Sequence, residues 1–316
     1  MSTPPTVSII ITTHGRPRLL PRAVESARLA GRDPEIVVVD DASTDETSEV
    51  CRSLPGIRYV RVEQNRGVAG ARNVGVEAST GEYLSFLDDD DERLPGSLDA
   101  QAERLEAEPS AALIYGQALV VGGVDATPGR LYPERCLQGD LFWALLGQNF
   151  IPCGSVLFRR SCLQRVGPLD AGVPGLDDWD LWIRLAEHFH VIAAEVPVYK
   201  WRQSSPGSGQ GSSSGARMVR MAVRQFREHW MRLERAAQAP RNQRRAAWCA
   251  FSGGMARHLV WEAVRAQAEG RTRQATENIL TGLRLLPSAM LRMPFDRRRA
   301  RAVSGHIANV VRAKRV

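Results

Sequence analysis

Four consecutive carboxylates, Asp88-Asp89-Asp90-Asp91, follow the apolar stretch Tyr83-Leu84-Ser85-Phe86-Leu87. Like charges this close repel and shift one another's pKa, so a metal, a basic residue or open water must compensate them. Carboxylate oxygens are hard ligands and point to Mg2+ or Mn2+, an ion that keeps open positions for which a phosphate is the natural ligand. The competing reading is a solvated acidic turn with a helix N-cap. A second acidic group, Asp177-Asp178 with Asp180, opens the amphipathic stretch Trp179-Asp180-Leu181-Trp182-Ile183-Arg184-Leu185. There the helix dipole favours negative charge, and simple capping accounts for the pair equally well.

The elements that position these residues follow a rhythm. Val7 to Ile11 is a short β-branched run, the pattern of a strand buried on both faces of a parallel sheet, and Thr12-Thr13-His14-Gly15-Arg16-Pro17 breaks it. A helical pattern through Leu19 to Ala27 leads to a second strand, Glu35 to Val39, ending in Asp40-Asp41. Ser43 and Glu46 form a capping-box signature for a helix to about Arg52. Ile57 to Val62 reads as a third strand, and the Gly-rich segment Asn65 to Asn73 opens a helix to about Ala78. The acidic strand is the fourth. This succession predicts an α/β fold with an open sheet and right-handed crossovers, in which ligands bind outside the carboxyl ends of the strands. Thr12, Asp41 and Asp88 to Asp90 all stand at such ends.

Further on, Pro95 to Leu105 reads as a helix, and Ala111 to Val121 and Val156 to Arg159 as strands. Residues 204–215 are Ser/Gly-rich and low in complexity, read either as an active-site lid or as a bare linker. Helices are expected over Ala216 to Ala239, Arg241 to about Glu269, and Thr272 to Leu286, ended by Pro287. The organisation expected is thus a catalytic domain over 1–203, the 204–215 segment, and a basic helical region over 216–316.

The net charge of +7 hides an asymmetry. Residues 1–200 carry 19 Lys and Arg against 29 Asp and Glu, whereas residues 201–316 carry 23 against 6. A basic helical region can meet an anionic membrane surface, the acidic domain beside it, or nucleic acid. Nucleic acid is not expected, because no recognised motif or aromatic platform is present. The five cysteines form no Cys-x-x-Cys pair, which argues against a zinc site or a disulfide framework. No apolar run is long enough to span a bilayer and no signal-peptide pattern precedes the first strand, so a cytoplasmic protein is expected, peripheral at the inner face of the membrane if the basic region attaches there.

Over residues 6 to 203 the chain resembles the family 2 glycosyltransferases with the GT-A fold. The resemblance rests on ordered motifs: Val7-Ser8-Ile9-Ile10-Ile11-Thr12-Thr13; Val38-Val39-Asp40-Asp41-Ala42-Ser43-Thr44-Asp45; Asn65-Arg66-Gly67 with Ala71-Arg72-Asn73; Gly81 through Asp91 with Pro95; and Val166-Gly167-Pro168-Leu169-Asp170 leading to Asp177-Asp178-Trp179-Asp180. It implies a GT-A, Rossmann-like open mixed sheet flanked by helices, with a C-terminal helical extension, and an inverting transfer from a nucleoside-diphosphate sugar, UDP- or dTDP-linked, to a glycan, lipid-linked or other hydroxyl acceptor. By the resemblance, Thr12 and Asp41 hold base and ribose, and Arg72 contacts base or phosphate. Asp88 and Asp90 form the Asp-x-Asp element for ribose and Mn2+ or Mg2+, Asp89 shares either role, and Asp178 is the general base. Asp91 is expected at a helix start, and Asp180 either as a group supporting the site or as a solvated helix residue. The Gln-x-x-Arg-Trp element of processive members is missing, which favours single addition. Where many relatives carry a Tyr-Arg-x-His-like stretch, this chain has Tyr199-Lys200-Trp201-Arg202-Gln203, offering Lys200 or Arg202 to the diphosphate. Two other classes stay open: a nucleotide-sugar-binding protein without turnover, and a nucleotidyltransferase.

Overall fold

Side chains along the first two strands point alternately to opposite faces of the sheet, and because both faces are buried that alternation builds the layers. In the computed structural model, which describes residues 6–122, 129–202 and 215–292, β1 (Val7–Thr13) is followed by α1 (Leu20–Leu29), β2 (Glu35–Asp41), α2 (Thr47–Ser53), β3 (Arg58–Val62), α3 (Gly67–Ala78) and β4 (Tyr83–Asp88). Ile9, Ile11, Ile36 and Val38 pack with Leu20, Ala23, Val24 and Ala27 of α1 on one face. Val37 and Val39 meet Val62, Ala71 and Val74 on the other. Two covered faces leave no polar positions inside these strands, which is why they read as unbroken apolar runs.

The chain continues through β5 (Glu92–Arg93), α4 (Ser97–Glu106), β6 (Ala111–Val121), β7 (Leu131–Tyr132), α5 (Phe142–Gly147), β8 (Val156–Arg159), α6 (Leu163–Val166), α7 (Asp177–His188) and β9 (His190–Arg202). Among the described residues the strands form one sheet in the order β3-β2-β1-β4-β8-β6-β9-β5, with β7 paired to β6. β1 pairs in parallel with β2 and β4, while β8 runs antiparallel between β4 and β6. The sheet is mixed and open, as expected. β5 adds antiparallel to the end of β9, matching Glu92 with Lys200 and Arg93 with Tyr199. That short pairing carries the chain leaving the acidic loop back onto the sheet.

Arg93 is buried without a carboxylate partner. It donates to Gln101 Oε1 at 2.9 Å, to Ser85 Oγ and to the Val156 carbonyl, while Gln101 donates to the Ser155 carbonyl at 2.8 Å. Burial pulls its pKa down to about 9, so it stays a cation at neutral pH. The network joins β4, β5, β8 and α4 behind the acidic loop.

Local details differ from the sequence reading in three places. Ser43 and Glu46 make no capping box: Ser43 Oγ accepts from Gly15 N–H and Ser43 N–H donates to Asp40. Asp45 Oδ1 instead accepts from Thr47 N–H at 3.1 Å, beside the start of α2. Second, α4 begins at Ser97 because Gly96, at φ +68, turns the chain after Pro95. Third, the helix expected over 216–239 breaks into α8 (Gly215–Glu228), a single turn at Trp230–Arg232, and α9 (Glu234–Gln238).

The chain divides into two compact units, one of residues 1–145 and 149–206 and the other of residues 146–148 and 207–316. In the second, α10 (Arg241–Ala268) buries Phe251, Met255, Leu259 and Ala263 at four-residue intervals, and Phe226 of α8 stacks on Phe251 with centroids 4.5 Å apart. α11 (Thr272–Leu285) packs on α10, and Pro287 opens α12 (Pro287–Leu291) rather than merely ending its predecessor. The Ser/Gly-rich segment through residue 214 and residues 293–316, which include the basic sequence Arg297-Arg298-Arg299-Ala300-Arg301, lie outside the described residues; Gly215 already begins α8.

Gly75 sets the approach of α3 to the sheet, since a Cβ there would stand 2.3 Å from Ile10 Cγ2 and 3.2 Å from Val39 Cγ2. Gly75→Val is expected to destabilise the fold by about 1–3 kcal/mol through overpacking. Urea unfolding checks this.

Candidate active site

The parallel strands end side by side, and the site is assembled from those ends. Thr12 lies in register with Val39 on one side and Asp88 on the other, and is buried. Asp40 is fully buried and structural: it accepts from Ser43 N–H at 2.9 Å, Tyr59 Oη at 3.0 Å and Arg61 at 2.8 Å. Asp41, next along, accepts from Arg66 N–H at 2.7 Å through Oδ1. Its carbonyl accepts from His14 Nδ1 at 2.7 Å and Asn65 Nδ2 at 3.2 Å. Three loops are therefore tied at the end of β2, with Ala42 held at φ +61 just beyond.

Carboxylate oxygens of Asp88, Asp90 and Asp91 all lie within 4.8 Å of one another. Asp90 and Asp91 are buried and Asp88 is about one third exposed. Burial and then repulsion from Asp88 push the pKa of both Asp90 and Asp91 up. An all-oxygen donor set with one open side and excess negative charge fits a hard divalent cation. Asp91 does not start a helix: it precedes β5, and its Oδ1 accepts from Arg202 N–H at 2.7 Å, because β9 passes beside the loop. The expectation for Asp91 is corrected accordingly.

Asp89 points elsewhere. Its two oxygens accept from Thr13 Oγ1 at 2.7 Å and Arg16 at 2.8 Å. Burial pushes its pKa up to about 6, against the pull of Arg16 and Thr13. Arg16, which also reaches Asp90 at 3.3 Å, was not singled out from sequence; its signal was a cation directly after the first strand. Arg202 and Lys200 both reach Glu92, at 3.2 and 3.3 Å, and Arg22 joins them at 2.9 Å.

Arg72 lies inside the protein, 5% exposed, rather than on a surface. It donates to Asp88 Oδ1 at 2.7 Å and to Asp177 Oδ2 at 2.8 Å, with its guanidinium 5.4 Å from the Phe86 ring centroid. Burial opposes its charge, yet Cys153, Asp88, Asp177 and Asp178 together outweigh burial and hold its pKa well above the ordinary arginine value. This bridge couples the acidic strand end to the first turn of α7. Asn73, one residue along α3, exchanges two hydrogen bonds with the Leu169 backbone, at 2.9 and 3.0 Å. Arg184 clamps the same loop through the Val166 and Pro168 carbonyls. Asp180 is buried and paired with Arg184 at 2.8 Å, not solvated, because the helix face it occupies turns inward.

Asp178 sits partly exposed beside this bridge, its Oδ1 accepting from Trp179 N–H at 2.6 Å. Burial, then the neighbouring Asp177, push its pKa up to about 7 against the pull of Arg72. A carboxylate at that value can take a proton at neutral pH and is not locked by a salt bridge.

A family model described as glycosyl transferase family 2 matches residues 8–167. The chain belongs to the family 2 glycosyltransferases. This glycosyltransferase is 28% identical over 229 residues to the uncharacterized glycosyltransferase YwdF of Bacillus subtilis, covering 71% of the chain and 84% of the relative. It is 29% identical over 188 residues to the UDP-Glc:alpha-D-GlcNAc-diphosphoundecaprenol beta-1,3-glucosyltransferase WfaP of Escherichia coli, covering 57% of the chain and 69% of the relative. Of some other curated relatives the chain spans less than two thirds of the length. Among solved structures, the mannosyltransferase PcManGT of Pyrobaculum calidifontis, in complex with GDP-Man and Mn2+, shares the GT-A fold at a TM-score of 0.57 and 18% identity, over 98% of this chain and 87% of that one.

Arg72→Met leaves Asp88 and Asp177 without their buried partner. A loss of about 3–5 kcal/mol in unfolding free energy is expected, measured by denaturant titration, and Arg72→Lys should recover only part of it because one ammonium lacks the fork that spans both carboxylates.

Proposed function

We propose that the protein is an inverting, metal-dependent glycosyltransferase that moves a single sugar from a nucleoside-diphosphate donor, UDP- or dTDP-linked, to a hydroxyl acceptor in cell-surface glycan synthesis. One observation carries the reading: Arg72 joins the carboxylate cluster at the end of β4 to the acidic turn that holds Asp178. A metal-diphosphate end and a proton-accepting end are thereby held in one frame. The glucosyl acceptor in WfaP's name, a diphosphoundecaprenol lipid, supports a lipid-linked acceptor here.

Asp88, Asp90 and Asp91 would hold the Mn2+ or Mg2+, which supplies charge neutralisation for the diphosphate. Thr12 and Asp41 line the base and ribose end, where Asp41 Oδ2 is left to accept an imide N–H. Asp178 takes the proton of the acceptor hydroxyl while that oxygen forms a bond to the anomeric carbon. The anomeric carbon to phosphate oxygen bond breaks from the opposite face, and the electron pair leaves with the nucleoside diphosphate. Arg72 keeps the two carboxylate groups in register.

Asp178→Asn is expected to lower kcat by about 10^2 to 10^4 while UDP binding, read by calorimetry, persists; equal donor consumption by this variant would remove Asp178 from the base role. Since the base must be ionised, kcat/KM of the wild type should rise with pH through about 7, following the upward-shifted Asp178. Chelation should abolish transfer and added Mn2+ or Mg2+ restore it. Release of pyrophosphate instead of nucleoside diphosphate would favour a nucleotidyltransferase.

A further inference from the structure

The second compact unit carries an outward face that its own core does not explain. α11 buries Ala275, Asn278, Thr281 and Gly282, so the positions between them face solvent. Leu280 and Leu283 are 60% and 47% exposed there, and Leu291 of α12 is 83% exposed. These three are among only seven large hydrophobic residues exposed within the described residues. Exposed Arg273 and Arg284 stand at either end of the leucine stripe. Beside it, Arg220 of α8 donates to Thr281 Oγ1 at 3.1 Å and to Glu277 at 2.9 Å, which fixes α8 against α11 and neutralises the nearest acid. A groove of about 770 Å³ between the two helices is lined by Arg220, Arg273, Arg284, Leu280 and Leu285.

We propose that this face of α11, with the groove beside α8, docks on an anionic phospholipid surface. Leucines one turn apart between arginines suit an interfacial helix, whose apolar side chains enter the acyl boundary while guanidiniums meet phosphates. A nucleic-acid backbone matches the arginines and leaves the leucines exposed. A second copy of the same face sets arginine against arginine. The wider charge agrees, with 23 Lys and Arg against 6 Asp and Glu over residues 201–316. No described helix is long and apolar enough to cross a membrane, so attachment through this face is peripheral.

The test is sedimentation of the full chain with phosphatidylcholine vesicles with and without phosphatidylglycerol, in the absence of donor and metal, so the result is independent of the catalytic reading. Wild type is expected to pellet with the anionic vesicles only, and less at high salt. Leu280→Gln with Leu283→Gln, and separately Arg273→Gln with Arg284→Gln, should each lower partitioning by roughly tenfold with an unchanged thermal midpoint. Wild type staying in the supernatant, equal binding to neutral vesicles, or wild-type binding by both variants would overturn the proposal. So would a concentration-dependent dimer that the leucine variant abolishes.

Discussion

The arrangement of the first compact unit depends on one buried cation. Arg72 leaves α3, lies against Phe86, and donates to Asp88 on one side and Asp177 on the other. A guanidinium suits this place because its planar fork addresses two carboxylates at once and it cannot be neutralised by deprotonation. Burying Asp177 and partly burying Asp88 is costly, and the cost is offset because each is hydrogen-bonded to the same charge. The strand end and the start of α7 are consequently held in a fixed relation. Asn73 and Arg184 extend the constraint by fixing the loop that delivers α7.

Around this bridge the carboxylates are sorted by their partners. Asp40 is consumed in holding the β2 turn, Asp89 in holding the turn after β1 through Thr13 and Arg16, and Asp180 in holding Arg184. Asp88, Asp90 and Asp91 converge instead, and their pooled negative charge is offset only in part by Arg72, Arg16 and the approach of Arg202. Burial therefore creates the demand for a cation that proximity in sequence suggested. Asp178 is governed by the same rule in the opposite sense: lacking a direct salt bridge, it keeps a raised pKa and with it the capacity to accept a proton.

Behind the site, the mixed sheet supplies rigidity through a second buried cation. Arg93 satisfies three acceptors without meeting any carboxylate, so its charge remains in the interior while the backbone around it is fixed. β5 and β9 pair at this point, and the pairing brings Arg202 N–H to Asp91. The acidic loop is thus held from the β1 side by Arg16 and from the β9 side by Arg202.

By itself, the sequence determined the order of strands and helices in the first half of the chain, the strand-end position of Thr12, Asp41 and Asp88, and the family. Strands buried on both faces must be apolar throughout, so their ends and their chemistry stand out in a linear reading. Tertiary structure alone decided which acids are spent on folding and which remain for a ligand. Arg16 meets Asp89 across 73 positions, Arg72 meets Asp177 across 105, and Arg202 meets Asp91 across 111. The capping box at Ser43 and the helix start at Asp91 were local readings that contacts with Gly15 and Arg202 replaced, whereas Asp180 is buried and paired with Arg184 one turn along its own helix. An ion pair depends on proximity in space, and in this fold the topology of the sheet, not the spacing of residues along the chain, decides which charges are close.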